Sequence, residues 1–419
     1  MLESLRSALR VTELRNKILF TLFMIFIFRL GAHVPVPGVN ADKFAELVRS
    51  GLIFGFFDVI SGGALKNFSV FAMSITPYIN ASIIMQLLTV VIPHLERLSK
   101  EGEEGRKKIT QYTRYFTVVL AFIQGLGMVI GVKGSLYNPS VWSYLIVAIT
   151  ITAGTTFLMW IGEQITEKGI GNGISLLIFA GIVSRVPSGA VSIYQYLNAG
   201  TINILSIVLL LIIGALVIAG IVAVQEGQRR IPVQYAKRVV GRRVYGGQST
   251  HLPLRVNQAG VIPVIFASSL MMFPESLAQW FAGSNIAMMY VKYFGWGTAF
   301  HTIAYALLII GFTYFYTAVI MNPVDVADNI KKYGGFIPGL RPGRPTAEYI
   351  SRVMSRITLA GAVFLALIAI LPNFVLVATR IPNIYFGGTA LLIVVGVALD
   401  TMKQVESHLL MRSYQGFIK

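Results

Sequence analysis

Long apolar runs recur along the whole chain, each about as long as a membrane-crossing helix, and they constrain the fold more than any other feature. Residues 204–224, for example, read ILSIVLLLIIGALVIAGIVAV and contain no charged side chain. A helix of about 20 apolar residues spans the hydrocarbon core of a bilayer. Only 13% of all residues are charged, whereas a soluble protein has about 25%. The sequence therefore predicts an integral membrane protein.

The apolar runs predict ten transmembrane helices. The first run lacks a small-residue cleavage site after its apolar core, so we expect a retained span and not a signal peptide. The expected bounds are 17–35, 68–92, 112–132, 141–161, 172–186, 202–224, 258–280, 300–321, 354–372 and 384–400.

The distribution of basic residues predicts the orientation in the membrane. Of the 35 Lys and Arg residues, 27 lie near the N-terminus, in the loops on the same side or in the C-terminal tail. Short loops rich in Lys and Arg stay in the cytoplasm, so both termini are expected to be cytoplasmic. The net charge of +17 is explained mainly by this asymmetry and not by nucleic-acid binding.

The segment 187–203, PSGAVSIYQYLNAGTIN, is the most loop-like outer stretch and divides the predicted helices into two sets of five. An odd number of spans reverses the orientation of the second set, which is typical of inverted repeats. The expected fold is therefore an all-α polytopic membrane protein with two pseudosymmetric, inverted halves. These halves cover residues 1–186 and 204–400, with an outer hinge loop between them and a cytoplasmic tail at 401–419.

Four of the predicted helices, the second, fifth, seventh and tenth, are short or interrupted by glycine, proline or polar residues. The clearest case is residues 61–80, SGGALKNFSVFAMSITPYIN, which are too apolar for a solvated loop and too polar for a lipid-facing helix. Such segments are tolerated in a membrane only inside protein or beside a water-filled cavity. Two interrupted helices in each half indicate a transport pathway. Close packing of small residues between helices is the alternative.

The interrupted helices are rich in isoleucine and contain almost no ionisable side chain. An apolar constriction excludes water and ions by dewetting, yet it offers no selective contact to a small solute. This composition favours a cargo of varied chemistry. The alternative is that the isoleucines form ordinary helix core. The residues concerned are Ile75, Ile79, Ile83, Ile84, Ile174, Ile178, Ile262, Ile265 and Ile393.

Two other classes of membrane protein fit the sequence less well. A secondary solute transporter with broken helices would need an ionisable coupling group near the midplane. Glu275 and Asp400 lie near helix ends, and Arg29 can pair or reach the interface. A membrane protease or lipid transferase would need clustered Asp, His or Ser residues, but the five histidines are scattered. The sequence thus predicts no enzymatic activity, no catalytic residue, and no metal or cofactor site.

Two loops on the expected cytoplasmic side are long and basic. Residues 225–258 alternate β-branched and polar side chains, which predicts a pair of strands that turn near Gly241 or the glycine pair that follows. Residues 322–350 are stiffened by prolines around Arg341 and Arg344. Basic loops of this kind can dock an acidic partner or an RNA surface. The alternative is that their charge serves only to orient the chain in the membrane.

Eight stretches together resemble one family over the whole length of the chain. They are SGGAL, TPYINASIIMQLLTVV, EGEEGRKKITQYTRY, GEQITEKGIGNGIS, EGQRRIPVQYAKR, GRRVYGGQSTHLPLRVNQAGVIPVIFASS, NPVDVADNIKKYGGFIPGLRPGRPTAEYI and YFGGTALLIVV. These stretches resemble the SecY family, the protein-conducting channels of the bacterial Sec translocon. The resemblance implies an hourglass-shaped pore with a constriction ring, a plug and a side gate. This lateral gate would lie between helix two, with helix three, and helices seven and eight.

The resemblance also implies roles for individual residues. The pore ring would be formed by Ile75, Ile79, Ile174, Ile178, Ile265 and Ile393. The plug, at about 57–67, would include Phe57, Asp58, Ser61, Gly62, Gly63, Ala64 and Leu65. Docking of a motor or a ribosome would involve Arg229, Arg230, Arg242, Arg243, Arg341 and Arg344.

The resemblance implies a set of partners as well. They are the subunits SecE and SecG, the SecA motor ATPase, the ribosome, signal sequences with unfolded preproteins, and the lipid of the cytoplasmic (inner) membrane. The sequence contains no nucleotide-binding motif, so the energy for transport is expected to come from the motor or the ribosome. The implied function is to translocate unfolded secretory polypeptides and to release transmembrane segments sideways into the bilayer.

Overall fold

The computed structural model describes eleven stretches of the chain. They are residues 11–40, 43–44, 61–131, 133–200, 202–235, 238–240, 243–245, 249–280, 285–295, 298–379 and 388–416. Within them the chain forms fourteen α-helices. These are α1 (Thr12–Gly31), α2 (Thr76–Val91), α3 (Pro93–Lys100), α4 (Glu103–Gly131), α5 (Val141–Lys168), α6 (Gly173–Val183), α7 (Val186–Asn198), α8 (Ile204–Glu226), α9 (Ile262–Trp280), α10 (Asn285–Phe294), α11 (Ala299–Ile320), α12 (Pro323–Lys332), α13 (Arg344–Thr379) and α14 (Gly388–Gly416).

The described stretches also contain five short β-strands and one 3₁₀ turn, Lys133–Ser135. The strands are β1 (Gln228–Tyr235), β2 (Arg238–Val240), β3 (Arg243–Tyr245), β4 (Ser249–Arg255) and β5 (Gly335–Phe336).

The helices confirm a polytopic membrane protein. Among the described residues, seven spans are long and apolar enough to cross a bilayer, or eight if the bent pair α2–α3 is counted as one span. A shorter apolar helix, Ile262–Pro274 within α9, coincides with the seventh predicted span, and α1 coincides with the first. Each of the ten predicted spans therefore overlaps a helix, and the mainly helical fold class is confirmed. The number of ten membrane crossings stays a prediction.

Several helices extend beyond the bounds predicted from hydropathy. The third predicted span, 112–132, begins at Glu103 in the structure, and the tenth, 384–400, continues as α14 to Gly416. Hydropathy marks where the apolar part ends, whereas backbone hydrogen bonds continue through charged turns. Acidic residues in the first turn of α4 favour the helix, because they compensate its positive N-terminal dipole.

The outer segment 187–203 is not a loop, and this expectation was wrong. Most of it forms α7, whose thirteen residues include none that is buried. Its proline lies in the first turn of the helix. Backbone N–H groups in a first turn have no acceptor within the helix, so the absence of an N–H on proline costs nothing there. The proline and glycine that indicated a loop are therefore compatible with a surface helix.

The second predicted span, 68–92, begins eight residues later than expected. Residues 61–75 form a series of turns, and the helix starts only at Thr76. Phe68 and Ser74 have φ values of +40° and +52°, which a right-handed helix does not allow. The backbone of Phe68 instead accepts a hydrogen bond from the N–H of Val36, at 3.0 Å. The irregular segment is thus held by tertiary contacts.

Glycine in α5 allows these turns to approach. A Cβ atom at Gly154 would collide with the carbonyl oxygen of Val70, so backbone packs directly on backbone at this point.

The C-terminal end of α2 is determined by a proline. Ile92 has an extended backbone before Pro93, and α3 continues at an angle of 99° to α2.

The central core joins helices from both halves of the chain. One hydrophobic cluster contains buried side chains of α2, α5, α6, α8, α9, α11, α13 and α14. Within it α9 packs against α2 and α4, while α14 packs against α6 and α8. The interrupted helices therefore meet one another in the centre of the molecule.

The two long basic loops form one small domain, which we call the sheet domain. The strand β1 pairs antiparallel with β4, from Gln228 opposite Arg255, and also with β5 of the second loop. The predicted strand pair is confirmed, and β2 and β3 form a hairpin around position 241. Residues 241 and 246–248 lie outside the described residues. The sheet shares a core with α12 and the first turns of α13, through Ile231, Val233, Leu254, Ile337, Ile350, Val353 and Met354.

We expect Gly154→Ala to destabilise the fold by about 1–3 kcal/mol, because the new methyl group forces the Val70 backbone away from α5. Thermal unfolding of the purified protein measures this change. Gly214→Ala in α8 is the matched control, since nothing lies within 4 Å of its Cβ position. Alanine favours the helix there by up to about 1 kcal/mol. Equal melting temperatures for both variants would contradict the close approach at Gly154.

Candidate functional site

The structure brings all six predicted ring isoleucines into one cluster. Five are buried, with exposed fractions of 1–8%, and Ile174 is partly buried and packs against them. They come from four helices and their caps: Ile75 is the N-cap residue of α2 and Ile79 lies in its first turn, Ile174 and Ile178 lie on α6, Ile265 on α9 and Ile393 on α14. Within the α2 and α6 pairs the members are four residues apart, so each pair shares one helix face.

Close backbone contacts position α6 in this cluster. Asn172 caps the helix, because its side-chain oxygen accepts a hydrogen bond from the N–H of Ser175 at 3.1 Å. A Cβ atom at Gly173 would collide with the carbonyl oxygen of Gly162 in α5. The start of α6 therefore lies directly against α5, which directs Ile174 and Ile178 toward the centre.

The helix α14 is positioned in a similar way. A Cβ atom at Gly388 would collide with the carbonyl oxygen of Ile368 in α13. Another at Gly396 would collide with Val261, just before α9. Ile393 lies between these two contacts, so its side chain reaches the cluster that also contains Ile265.

The chemistry of the cluster is that of a barrier. Its six members offer no hydrogen-bonding, ionisable or nucleophilic side chain, so they can exclude water but cannot catalyse a reaction. In the part of the chain that the structure describes, no group of three or more His, Asp or Glu side chains could hold a metal ion.

The predicted plug residues that are described lie beside the cluster. Ser61, Ala64 and Leu65 are buried, and the hydroxyl of Ser61 accepts a hydrogen bond from the N–H of Leu65 at 3.2 Å. Ala64 belongs to the central cluster, while Leu65 packs in a neighbouring one with Val36, Phe44 and Phe68. Phe57 and Asp58 lie outside the described residues.

Gly62 and Gly63 both have positive φ values, +65° and +92°. These angles favour glycine and turn the chain back toward α6. The guanidinium group of Arg29 in α1 donates a hydrogen bond to the carbonyl oxygen of Gly62. The sequence analysis did not predict which group accepts a hydrogen bond from Arg29. The only feature that could have drawn attention to this residue is its charge inside the first apolar span.

The helices of the predicted lateral gate are in contact. On one side are α2 and α4, and on the other α9, which packs against α11. Phe266 of α9 makes edge-to-face contacts with Phe312 and Tyr316 of α11, with ring centroids 6.0 and 5.9 Å apart. Ile79, Ile83, Ile265 and Phe266 all belong to the central cluster, so the seam is lined by apolar side chains.

The predicted docking arginines that can be described are exposed on the sheet domain. Arg229 and Arg230 lie on β1, Arg341 lies on the turn that leads into α13, and Arg344 is the first residue of that helix. The carbonyl oxygen of Arg341 accepts a hydrogen bond from Thr346 Oγ1 at 2.8 Å, which fixes this turn.

Arg344 forms an ion pair with Glu348 one helical turn later, with 3.1 Å between Nε and Oε1. Arg243 is the first residue of β3, and Arg242 lies outside the described residues. Sequence reasoning missed that both loops share one core, because the pairing of β1 with β5 joins residues about 100 positions apart.

A cavity of about 350 Å³ lies among α6, the start of α9, α14 and the end of β4. Its lining includes Ser175 of α6 and Arg255 of β4. Asp400 and Lys403 of α14 line its wall. Sequence reasoning did not identify this cavity. The polar residues at the ends of the interrupted helices are the signal that could have indicated it.

Comparisons with known proteins agree with this architecture. The family model described as SecY matches residues 69–402. The protein translocase subunit SecY of Halalkalibacterium halodurans is 52% identical, and the alignment covers 100% of both chains. The subunit of the same name from Aquifex aeolicus is 45% identical, again over 100% of both chains.

Solved structures share the fold. One titled as the structure of a protein conducting channel has a TM-score of 0.69 at 19% identity, over 94% of this chain and 92% of that one. Sec61 in the canine ribosome–channel complex from the endoplasmic reticulum has a TM-score of 0.65 at 18% identity, with the same coverage. At these identities the likeness concerns the fold alone. Because the family model and full-length relatives agree, we conclude that the chain belongs to the SecY family.

Proposed function

We propose that unfolded secretory polypeptides cross the membrane through this chain, and that transmembrane segments leave it sideways into lipid. The observation that carries the proposal is the single cluster of six isoleucines contributed by four helices, two from each half. Membership in the SecY family supports the same role. The chain is a protein-conducting channel and not an enzyme. A secondary solute transporter is not favoured.

In the resting channel, the ring and the plug segment close the pathway together. Isoleucine side chains pack tightly without polar groups, so water and ions are excluded. They also offer no hydrogen bond to a moving peptide backbone. A polypeptide of any sequence can therefore slide past the ring once the plug segment, at about 57–67, moves aside.

The seam between α2 with α4 and α9 with α11 is the proposed lateral gate. A signal sequence is an apolar helix, and it can replace the apolar contacts that these helices make with one another. Separation of the two sides then connects the pore to lipid. The proposed halves, 1–186 and 204–400, would move apart about the outer segment that contains α7.

The sheet domain is the proposed docking surface for the ribosome or the SecA motor, which supply the energy. The basic side chains of Arg229, Arg230, Arg341 and Arg344 project from it, and arginine is suited to phosphate and carboxylate partners. The ribosome complex of canine Sec61 supports this assignment by analogy. The proposed further subunits are SecE and SecG, which would cover lipid-facing helices.

We also propose that the chain lies in the cytoplasmic (inner) membrane, with both termini and the sheet domain in the cytoplasm. The support is the charge asymmetry, with 27 of 35 basic residues on that side.

A crosslinking experiment tests the proposed pathway. The natural sequence contains no cysteine, so Ile79→Cys introduces a unique thiol into the ring. A stalled secretory precursor with one cysteine in its mature part is translocated through the reconstituted channel by SecA. We expect a disulfide between precursor and channel that requires both the signal sequence and ATP.

The matched control is Ile212→Cys on α8, whose side chain is 53% exposed on the outside of the molecule. It should not react with the precursor. If export is active but only the control reacts, the polypeptide does not pass the isoleucine cluster and the proposed pathway is wrong.

Replacing ring isoleucines with a polar residue should open the resting channel to ions. Ile79→Ser and Ile178→Ser each introduce a hydroxyl group into the ring, whose barrier to ions depends on the exclusion of water. Each reduction of the barrier by about 1.4 kcal/mol raises the ion current about tenfold. Single-channel conductance without precursor measures the leak. Ile212→Ser is the control, and a leak no larger than that of this control would contradict the role of the ring.

Reversing the charge of Arg341 should impair motor-driven export. We expect Arg341→Glu to reduce SecA-dependent translocation at least about tenfold, since one favourable charge contact becomes a repulsive one. The side chain is exposed, so membrane insertion and thermal stability should not change. Lys107→Glu, an exposed charge reversal on α4, is the control. Normal export by Arg341→Glu would show that the motor docks elsewhere.

A further inference from the structure

Arg29 occupies an unusual place for a charged residue. It lies in the last turn of α1, and this helix packs against α5 and α6. Its guanidinium Nη1 donates hydrogen bonds to the carbonyl oxygen of Gly62 and, at 3.3 Å, to the hydroxyl oxygen of Ser184. One side chain therefore connects three parts of the chain: α1, the plug segment and the end of α6.

The end of α6 is built to receive this contact. Ser184 is the C-cap residue of the helix, and its hydroxyl donates to the carbonyl oxygen of Gly181 at 2.7 Å. The hydroxyl oxygen is then free to accept from Arg29. It also lies 3.5 Å from the carbonyl oxygen of Gly62, so the three groups form one compact set.

Glycine in the plug segment makes the approach to α6 possible. A Cβ atom at Gly62 would lie 2.9 Å from Cα of Gly181 and 3.0 Å from Oγ of Ser184. No side chain fits at these distances, and the φ of +65° disfavours one as well. The carbonyl group of Gly62 is therefore presented to Arg29 by a backbone that rests directly on α6.

We propose that Arg29 is a positioning residue that latches the plug segment at Gly62 onto α6 in the resting channel. This proposal rests on the proposed function, in which residues 61–65 must move before a polypeptide can pass. The latch is the set of contacts among Arg29, Gly62 and Ser184.

The charge of Arg29 gives the latch two stable states. A guanidinium group inside a membrane protein needs acceptors, because its hydration is lost there. In the closed channel, Gly62 and Ser184 supply these acceptors. When the plug segment leaves, water enters the pathway and hydrates the same group. Movement of the plug therefore exchanges one set of hydrogen bonds for another and does not leave a charge without partners.

The latch is tested by comparing Arg29→Met with Arg15→Met. Both variants remove an arginine from α1, but Arg15 is exposed in the first turns of the helix, away from the plug segment. Two quantities are measured in reconstituted channels: the ion conductance without precursor, and SecA-driven export of a precursor whose signal sequence is defective. For Arg29→Met we expect both to rise at least about tenfold, since a hydrogen bond to a charged group is lost. Arg15→Met should match the natural protein.

Two further variants separate the latch from a general loss of packing. Arg29→Lys keeps the charge, but its side chain is one bond shorter than the reach to Nη1, so its contact with the two acceptors is weaker and its leak should be intermediate. Gly62→Ala disrupts the same contact from the plug side. The double variant Arg29→Met with Gly62→Ala should leak no more than the larger single variant. Fully additive effects would overturn the latch.

The proposal is also overturned if Arg29→Met accumulates normally in the membrane and its resting conductance equals that of the natural protein. If this variant does not accumulate, Arg29→Lys and Ser184→Ala take its place, and a natural resting conductance in both overturns the latch. Crosslinking of the precursor at position 79 in the natural channel is measured in parallel. A missing crosslink there counts against the proposed function, whereas a normal crosslink without a leak in Arg29→Met counts against the latch alone.

Discussion

The structure depends on one constraint of the membrane: every backbone polar group inside it must find a partner within the protein. Helices satisfy this requirement by themselves, but residues 61–75 do not form a helix. They are possible at this depth because protein surrounds them. The backbone of Gly154 gives them room, and the strand-like contact with Val34 and Val36 pairs their N–H and C=O groups. An irregular segment in the centre of the molecule is thus possible because α5 and α6 pack closely against it.

The six isoleucines belong to the hydrophobic core, and in the proposed channel they are also the barrier, so the same contacts would set the energy of opening. Burial of a side chain of this size contributes about 1.5–3 kcal/mol, so separating the cluster costs on the order of 10 kcal/mol. In the proposed channel, this cost would keep the pore closed at rest. The cost can be offset by an apolar signal helix that enters the seam, because it replaces lost apolar contacts with new ones. Selection of cargo and opening of the pore would then be the same event.

Hydropathy predicted the helices and drew attention to the isoleucines of the interrupted spans, because both follow from local composition. The resemblance to the SecY family selected the six of these that the structure brings together. Ile75 and Ile79, for instance, lie four residues apart next to a proline that starts a helix. What could not be predicted depends on contacts between distant residues. The turns at Phe68 and Ser74 form where Gly154 of α5 leaves room for the backbone. The carbonyl group that accepts a hydrogen bond from Arg29 is 33 positions away in the sequence. The helix α7 was missed because proline and glycine indicate loops equally well.

The joining of the two basic loops gives the proposed docking surface a direct structural connection to the proposed pore. The sheet domain continues without interruption into α13, which runs from Arg344 to Thr379. That helix packs against α11, next to the lateral gate, and against α14, which carries Ile393. The strand β1 likewise follows α8 after a single residue. Two separate flexible loops would bend under a force applied by a docked partner and would not transmit it to the helices. If the sheet domain is the docking surface, its own apolar core would let it pass a load to the helices that reach the ring, and its rigidity would matter as much as its charge.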